Sequence, residues 1–273
     1  MIEFRCKNRD KTFTPIVRNE EIWSYAEELV GEYKPQLLRE PGKLKGIHFI
    51  ESYLGATVDF QDIYYEEDSS PIIGATVFND DRIRVFDREG ACINTIEVCA
   101  NTIILDNSIA KDGREGFANF TALHEGGHFC IHPGVYRKNP AQISLFAKGK
   151  EGNGVQCCRK ADLCGERSFH YRNKKLTPEM SREHQANVFA AFAAMPRQTF
   201  IPCAKELAKK EGFCDGIIVD EEDWESDAHR DKVIEALREI YGMSYSATKI
   251  HLKELGLLMN YHKYEELNSQ FVI

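Results

Sequence analysis

The chain has 273 residues, 42% of them hydrophobic and 29% charged, which is enough apolar material for one or two domains with a buried core. Its formal net charge of −8 makes the surface as a whole a poor match for nucleic acid and compatible with a basic protein partner. No apolar run approaches the roughly 18 residues needed to span a bilayer, no secretory pattern opens the chain, and nine scattered cysteines read as reduced thiols. These features predict a cytoplasmic location with no membrane association.

Residues 1–110 read as a helical pair leading into a small antiparallel sheet. Asn19 is positioned to cap a helix over Glu20–Glu32, with Ile22, Ala26 and Leu29–Val30 at helical spacing. A second helix is predicted after Pro41-Gly42, ending at Gly55, with Leu44, Ile47, Ile50, Tyr53 and Leu54 on its apolar face. Strand-like runs follow at 56–60, 72–78, 82–86 and 102–105, and Asn79-Asp80-Asp81 reads as a hairpin turn.

Residues 115–200 carry the chemistry. A helix from Phe117 to His132, stopped by Pro133-Gly134, contains His124-Glu125-Gly126-Gly127-His128. One helical turn separates the two histidines, so they project from one face and can share a Zn²⁺ at about 2.0–2.1 Å. Glu125 is offset to the side, where it can act on water as a general base without becoming a ligand. The two glycines each cost about 1 kcal/mol against alanine in a helix interior, which points to a helix that needs close backbone approach.

A polar segment covers 134–176. A second helix is expected from Thr177 (N-cap) and Pro178 (N1) to Met195-Pro196. A catalytic zinc takes three protein ligands and leaves one position open. Glu183 on this second helix is the best candidate for the third, because Glu183, Ala186, Asn187 and Ala190 form a small, polar stripe that permits close helix packing. The alternatives are that Glu183 is an exposed, salt-bridged glutamate, or that His184, about 100° round the helix, is the ligand instead.

His132 continues the histidine face at a distance that suits a supporting rather than a ligating role. Asn187 is a candidate to hold a ligand in place. His170, Tyr171 and Arg197 are candidates, by neighbourhood, for stabilising an oxyanion. Cys157, Cys158 and Cys164 lack the paired C-x2–4-C hooks of structural zinc sites and read as free thiols.

Residues 201–273 form a predicted helical region: Pro202–Lys210 ending at Gly212, then Ala228–Tyr241, a Gly242-Met243-Ser244 turn and Tyr245–Leu255. The segment 228–258 has helix–turn–helix character. From 230 on it carries Arg230, Lys232, Arg238, Lys249 and Lys253 against Asp231, Glu235, Glu239 and Glu254, a weak basic excess. That favours packing or partner docking over phosphate contacts.

His124-Glu125-Gly126-Gly127-His128, followed by Glu183-x-x-Ala186-Asn187-x-Phe189-Ala190 and Met195-Pro196, resembles the ImmA/IrrE family of metallopeptidases. The lead-in Phe120-Thr121 and His132 also match, while Gly126 stands where the family carries a larger apolar residue. The resemblance implies His124, His128 and Glu183 as zinc ligands, Glu125 as base, and regulatory cleavage of a helix–turn–helix transcriptional repressor. The chain as a whole is then expected to be α+β. A catalytic domain over 1–200 would pack its N-terminal helices and sheet on the zinc-helix pair, and a helical domain would follow over 201–273. The competing expectation is a non-proteolytic zinc-containing regulator that binds DNA or a protein partner.

Overall fold

The computed structural model describes residues 1–66, 69–137, 154–163, 176–213, 215–220 and 224–269. The chain is mixed α and β. It opens with helix α1 (Asn19–Tyr33), a 3-10 turn (Pro35–Leu38) and a short helix α2 (Gly46–Phe49). A π-helical turn (Ile50–Leu54) follows and stops at Gly55 in the left-handed region. Asn19 is the first residue of α1 rather than its cap. The α1 start is secured by Glu21, which reaches back to accept the Arg18 N–H at 2.9 Å, and the Asn19 amide turns instead to His184 Nε2 at 3.0 Å.

Strands β1 (Thr57–Gln61), β2 (Ile72–Val77), β5 (Thr102–Asp106) and β6 (Val155–Arg159) form one sheet in the order β1-β5-β2-β6. The expected antiparallel sheet is in fact mixed, because β1 and β5 pair in parallel. β5, buried along its whole length, inserts between β1 and β2. The predicted hairpin at Asn79-Asp80-Asp81 does not form. β3 (Asp81–Asp87) leaves the main sheet and pairs with β4 (Cys92–Val98) in a separate two-stranded ribbon. β4 is mostly exposed even though it carries Ile93, Thr95, Ile96 and Val98, and no strand was expected there.

Helix α3 (Glu115–Ile131) is the centre of the molecule. Every residue from Phe120 to Ile131 is buried, as expected for a helix covered on several sides. One side packs on β2 and β5 and another on the helix over Pro178–Ala194. Between them come α4 (Pro133–Tyr136) and α5 (Lys160–Leu163), so the long partner helix is α6. Its start follows the sequence closely: Thr177 Oγ1 accepts the Met180 N–H at 3.3 Å and Pro178 occupies the first turn.

Helix α7 runs over Arg197–Lys210, five residues longer at its start than expected from Pro202. Pro202 is tolerated inside it because the carbonyl it leaves unpaired belongs to Gln198, which is exposed. Helices α8 (Trp224–Tyr241), α9 (Tyr245–Glu254) and α10 (Tyr261–Ser269) complete the chain, with a short parallel pair β7 (Ile218–Asp220) and β8 (Leu258–Asn260). Gly242 has φ +66°, and Ser244 caps α9. One apolar cluster runs from Ile22 and Leu29 through Leu123, Phe189 and Phe192 to Leu237, Tyr241 and Leu252. No helix among the described residues is long and apolar enough to cross a membrane.

Candidate metal centre

His124, His128 and His132 lie on one face of α3 and are fully buried. His124 Nε2 and His128 Nε2 are 3.0 Å apart. Glu183, from α6, reaches both. Its Oε2 is 3.2 Å from His124 Nε2 and its Oε1 is 3.4 Å from His128 Nε2. Donors arranged tetrahedrally at about 2.0–2.1 Å from one ion sit roughly 3.3 Å from each other. The three spacings, 3.0, 3.2 and 3.4 Å, match those of ligands to a single cation as well as those of hydrogen-bonded pairs.

Close helix packing makes this possible. A Cβ on Gly127 would lie 3.1 Å from Ala186 Cα and 3.2 Å from Ala186 O, so a side chain there would have to push α3 and α6 apart by a few tenths of an ångström. Gly126 faces the other way, and a Cβ on it would meet Leu54 and Ile50 at 3.5 and 3.6 Å, ordinary contact distances.

The hydrogen-bond partners fix the imidazole tautomers. Asn187 Nδ2 donates to the Asp162 carbonyl (3.1 Å), which turns Oδ1 towards His124 Nδ1 (2.9 Å). His124 must therefore carry its proton on Nδ1. Gln185 Nε2 donates to the Pro15 carbonyl (2.8 Å), so Oε1 accepts from His132 Nε2–H (2.9 Å). Burial and the neighbouring His128 keep His132 neutral, its pKa well below the ordinary value. Its bare Nδ1 then accepts from His128 Nδ1–H at 3.0 Å. With both imidazoles neutral, His124 and His128 thus direct Nε2 lone pairs at the same point as the Glu183 carboxylate. Such a meeting of acceptors is relieved by a cation or by a proton on one Nε2.

A proton on His124 Nε2 can also fill this role, as the ionisation pattern shows. Burial disfavours protonation of His124, yet the hydrogen bond and charge of Glu183 prevail and hold its pKa above the ordinary value. Burial lowers that of His128, with Glu183 offsetting part of the effect. Burial would raise the Glu183 carboxyl, but the two imidazoles outweigh it and hold it well below the usual range.

Glu125 is fully buried on the sheet side of α3. Its Oε2 accepts from the Thr76 hydroxyl at 2.6 Å, whereas Oε1 is buried and has no hydrogen-bond partner. Burial pushes its pKa up to about 8, with His124 and Thr76 working against the rise. The sheet makes room for it at Gly74, where a Cβ would fall 2.5 Å from Glu125 Oε1.

β6 supplies residues that sequence reasoning missed. Gly74 pairs with Cys158 and Thr76 with Gln156, and directly paired residues share a sheet face. Gln156 Nε2 donates to Glu183 Oε1 at 2.5 Å, and the Tyr136 hydroxyl donates to Gln156 Oε1. Cys158 is fully buried, and its Sγ, a His124 imidazole nitrogen and a Glu183 carboxylate oxygen all lie within 4.8 Å of one another. Cys157 faces the opposite way and is exposed. Cys157 and Cys158 stand out in the sequence, but only the strand register shows that Cys158 is the one directed inwards.

The remaining candidates separate. His184 Nε2 bonds the Asn19 side-chain oxygen at 3.0 Å. Arg197 is committed elsewhere: its Nε and Nη2 donate to Glu27 at 3.1 and 3.0 Å, and its guanidinium stacks on Trp23 at 4.1 Å. His170, Tyr171 and Cys164 lie outside the described residues. In the C-terminal region, the guanidinium of Arg230 pairs with Asp220, Asp227 and Asp231, Arg238 pairs with Glu235, and Lys232 pairs with Glu211.

The chain matches no protein-family model and no curated protein sequence.

Proposed function

We propose that the protein is a zinc-dependent endopeptidase of regulatory type, with His124, His128 and Glu183 as ligands and Glu125 as general base. The observation that carries this reading is the convergence of two tautomer-fixed Nε2 lone pairs and one carboxylate at single-ion spacing. The donor set fits zinc, which favours imidazole and carboxylate in four-coordinate sites.

A bound zinc ion supplies Lewis acidity, polarising a peptide carbonyl and acidifying water. The protein supplies the rest. Asn187 and the His132–Gln185 pair hold the two imidazoles in register. Thr76 anchors Glu125 through Oε2 and leaves Oε1 free to take a proton from the attacking water and return it to the leaving amine. A carboxyl with one unpartnered oxygen is costly to bury. A purely structural metal site has no use for it, and this favours hydrolysis over the non-proteolytic alternative.

The resemblance to ImmA/IrrE peptidases supports a protein substrate, specifically a helix–turn–helix repressor drawn to the acidic surface. The 228–258 helices then serve in packing or docking, since Arg230, Lys232 and Arg238 there are already paired with carboxylates.

The test pairs zinc-loaded wild type with Glu125→Gln. Both are incubated with a proteome-derived peptide library and with helix–turn–helix repressors from the same cell, and new N-termini are read by mass spectrometry. Wild type is expected to generate them. Glu125→Gln should bind the same amount of zinc and generate none. Equal cleavage by the two proteins excludes Glu125 as base, and no cleavage by either leaves the regulator reading standing.

A further inference from the structure

The three ligands proposed above leave one position on a four-coordinate ion. The surrounding side chains show what lies closest to it. Of the cysteines in the described residues, only Cys158 is placed with the His124–Glu183 pair. It is fully buried, and strand pairing sets it beside Gly74, in the same notch that accommodates Glu125. Among the described residues its side chain makes one weak hydrogen bond, Sγ to the Arg159 carbonyl at 3.7 Å, so no strong polar contact competes with a metal for the sulfur.

Resting on the zinc reading, we propose that Cys158 Sγ is the fourth protein ligand, so that the resting protein carries a closed site of two histidines, one glutamate and one thiolate. Sulfur and nitrogen ligands on one tetrahedral zinc, at about 2.3 and 2.0–2.1 Å, sit roughly 3.6 Å apart. Cys158 Sγ lies within 4.8 Å of a His124 nitrogen and a Glu183 oxygen, a group that does not include His128. Against the His124 nitrogen the excess over that ideal is at most about 1.2 Å, and a χ1 rotation with a shift of β6 carries the sulfur on towards His128. Among the described residues β6 is an edge strand, paired to β2 alone, so it can make that shift without breaking the rest of the sheet.

Coordination exchanges the thiol proton for a sulfur–zinc bond and releases that proton to solvent. A closed four-ligand site has no position for water or substrate. Cys158 must therefore leave the ion before each turnover, so wild type cleaves slowly and a partner that peels β6 from β2 would accelerate it.

The experiment is zinc X-ray absorption spectroscopy on the zinc-loaded full chain, with metal content measured on the same samples. Wild type and Cys157→Ala are expected to show one sulfur neighbour at about 2.3 Å alongside nitrogen and oxygen at about 2.0–2.2 Å. In Cys158→Ala the sulfur neighbour disappears while zinc remains bound. Cobalt-substituted protein provides a second readout, a sulfur-to-cobalt charge-transfer band that Cys158→Ser abolishes. A wild-type spectrum fitted by nitrogen and oxygen alone overturns the fourth ligand and leaves the zinc site intact. Sulfur persisting in Cys158→Ala also overturns it. Wild type that binds no zinc overturns both readings. Because wild type by itself gives a decisive result, the test does not depend on the variants folding.

Discussion

The two adjacent glycines of the metal helix should respond in opposite ways to the same added methyl group. Either substitution to alanine gains about 1 kcal/mol of helix propensity. At Gly126 the new Cβ would rest at 3.5–3.6 Å from Leu54 and Ile50, so its burial adds up to about 0.8 kcal/mol more. Gly126→Ala is therefore expected to stabilise the fold by roughly 1–2 kcal/mol. At Gly127 the Cβ would press on Ala186 Cα at 3.1 Å and Ala186 O at 3.2 Å, backbone atoms that can yield only if α6 moves as a body. Overpacking of this kind costs about 1–3 kcal/mol, cancelling or exceeding the propensity gain. It also displaces Glu183 and Asn187, which α6 carries. Urea unfolding of the metal-free proteins, with far-UV circular dichroism as the probe, measures the difference. Gly126→Ala should have the higher midpoint by a clear margin. A Gly127→Ala protein as stable as Gly126→Ala would show that α3 and α6 are not in backbone contact, and the geometry that brings Glu183 to the histidines would go with it.

Asn187→Leu removes the acceptor for His124 Nδ1–H without touching a ligand. Zinc affinity, measured by competition with a chromophoric chelator, should fall about 10–100-fold; unchanged affinity would mean that the His124 tautomer is not set by Asn187. His251 is a separate case. It is buried between Phe192 and Phe200, bonded to the Met195 carbonyl at 3.0 Å, and burial depresses its pKa to about 3. The unfolded chain protonates this imidazole near pH 6.5 and the folded chain does not, so stability is intact above that pH and is lost as pH falls towards 3. The loss from this group is about 2 kcal/mol by pH 5. His251→Gln keeps an N–H for Met195 and should flatten the pH dependence of unfolding between 6.5 and 5, whereas parallel curves for the two proteins would assign the acid sensitivity to other groups.

The parts of the molecule legible in the sequence are those governed by local periodicity and capping. The metal helix, its stop at Pro133 and the Thr177-Pro178 start of α6 follow from side-chain spacing and capping alone. The small stripe at Ala186, Asn187 and Ala190 indicated that two helices approach closely. The sheet was less legible because its order depends on long-range pairing. Nothing local says that β5 enters between β1 and β2, or that β3 turns away to β4, whose residues are mostly exposed. β6 was hidden for the same reason: five half-polar residues inside a long polar segment give no run of alternation long enough to read. Cys158, Gln156, Gly74 and Thr76 were invisible as site residues because only strand register puts them opposite Glu125 and Glu183. Arg197 was grouped with the site by proximity in sequence, which does not determine direction. Its side chain instead serves Glu27 and Trp23.

The central claim is that His124, His128 and Glu183 hold a metal ion, and metal analysis of the purified full chain tests it most directly. Inductively coupled plasma mass spectrometry after dialysis should find a single zinc ion per chain in wild type and in Cys157→Ala, and zinc largely lost in His124→Ala and Glu183→Ala. Folded wild-type protein that retains no zinc, or retention undiminished in both ligand variants, would contradict the account.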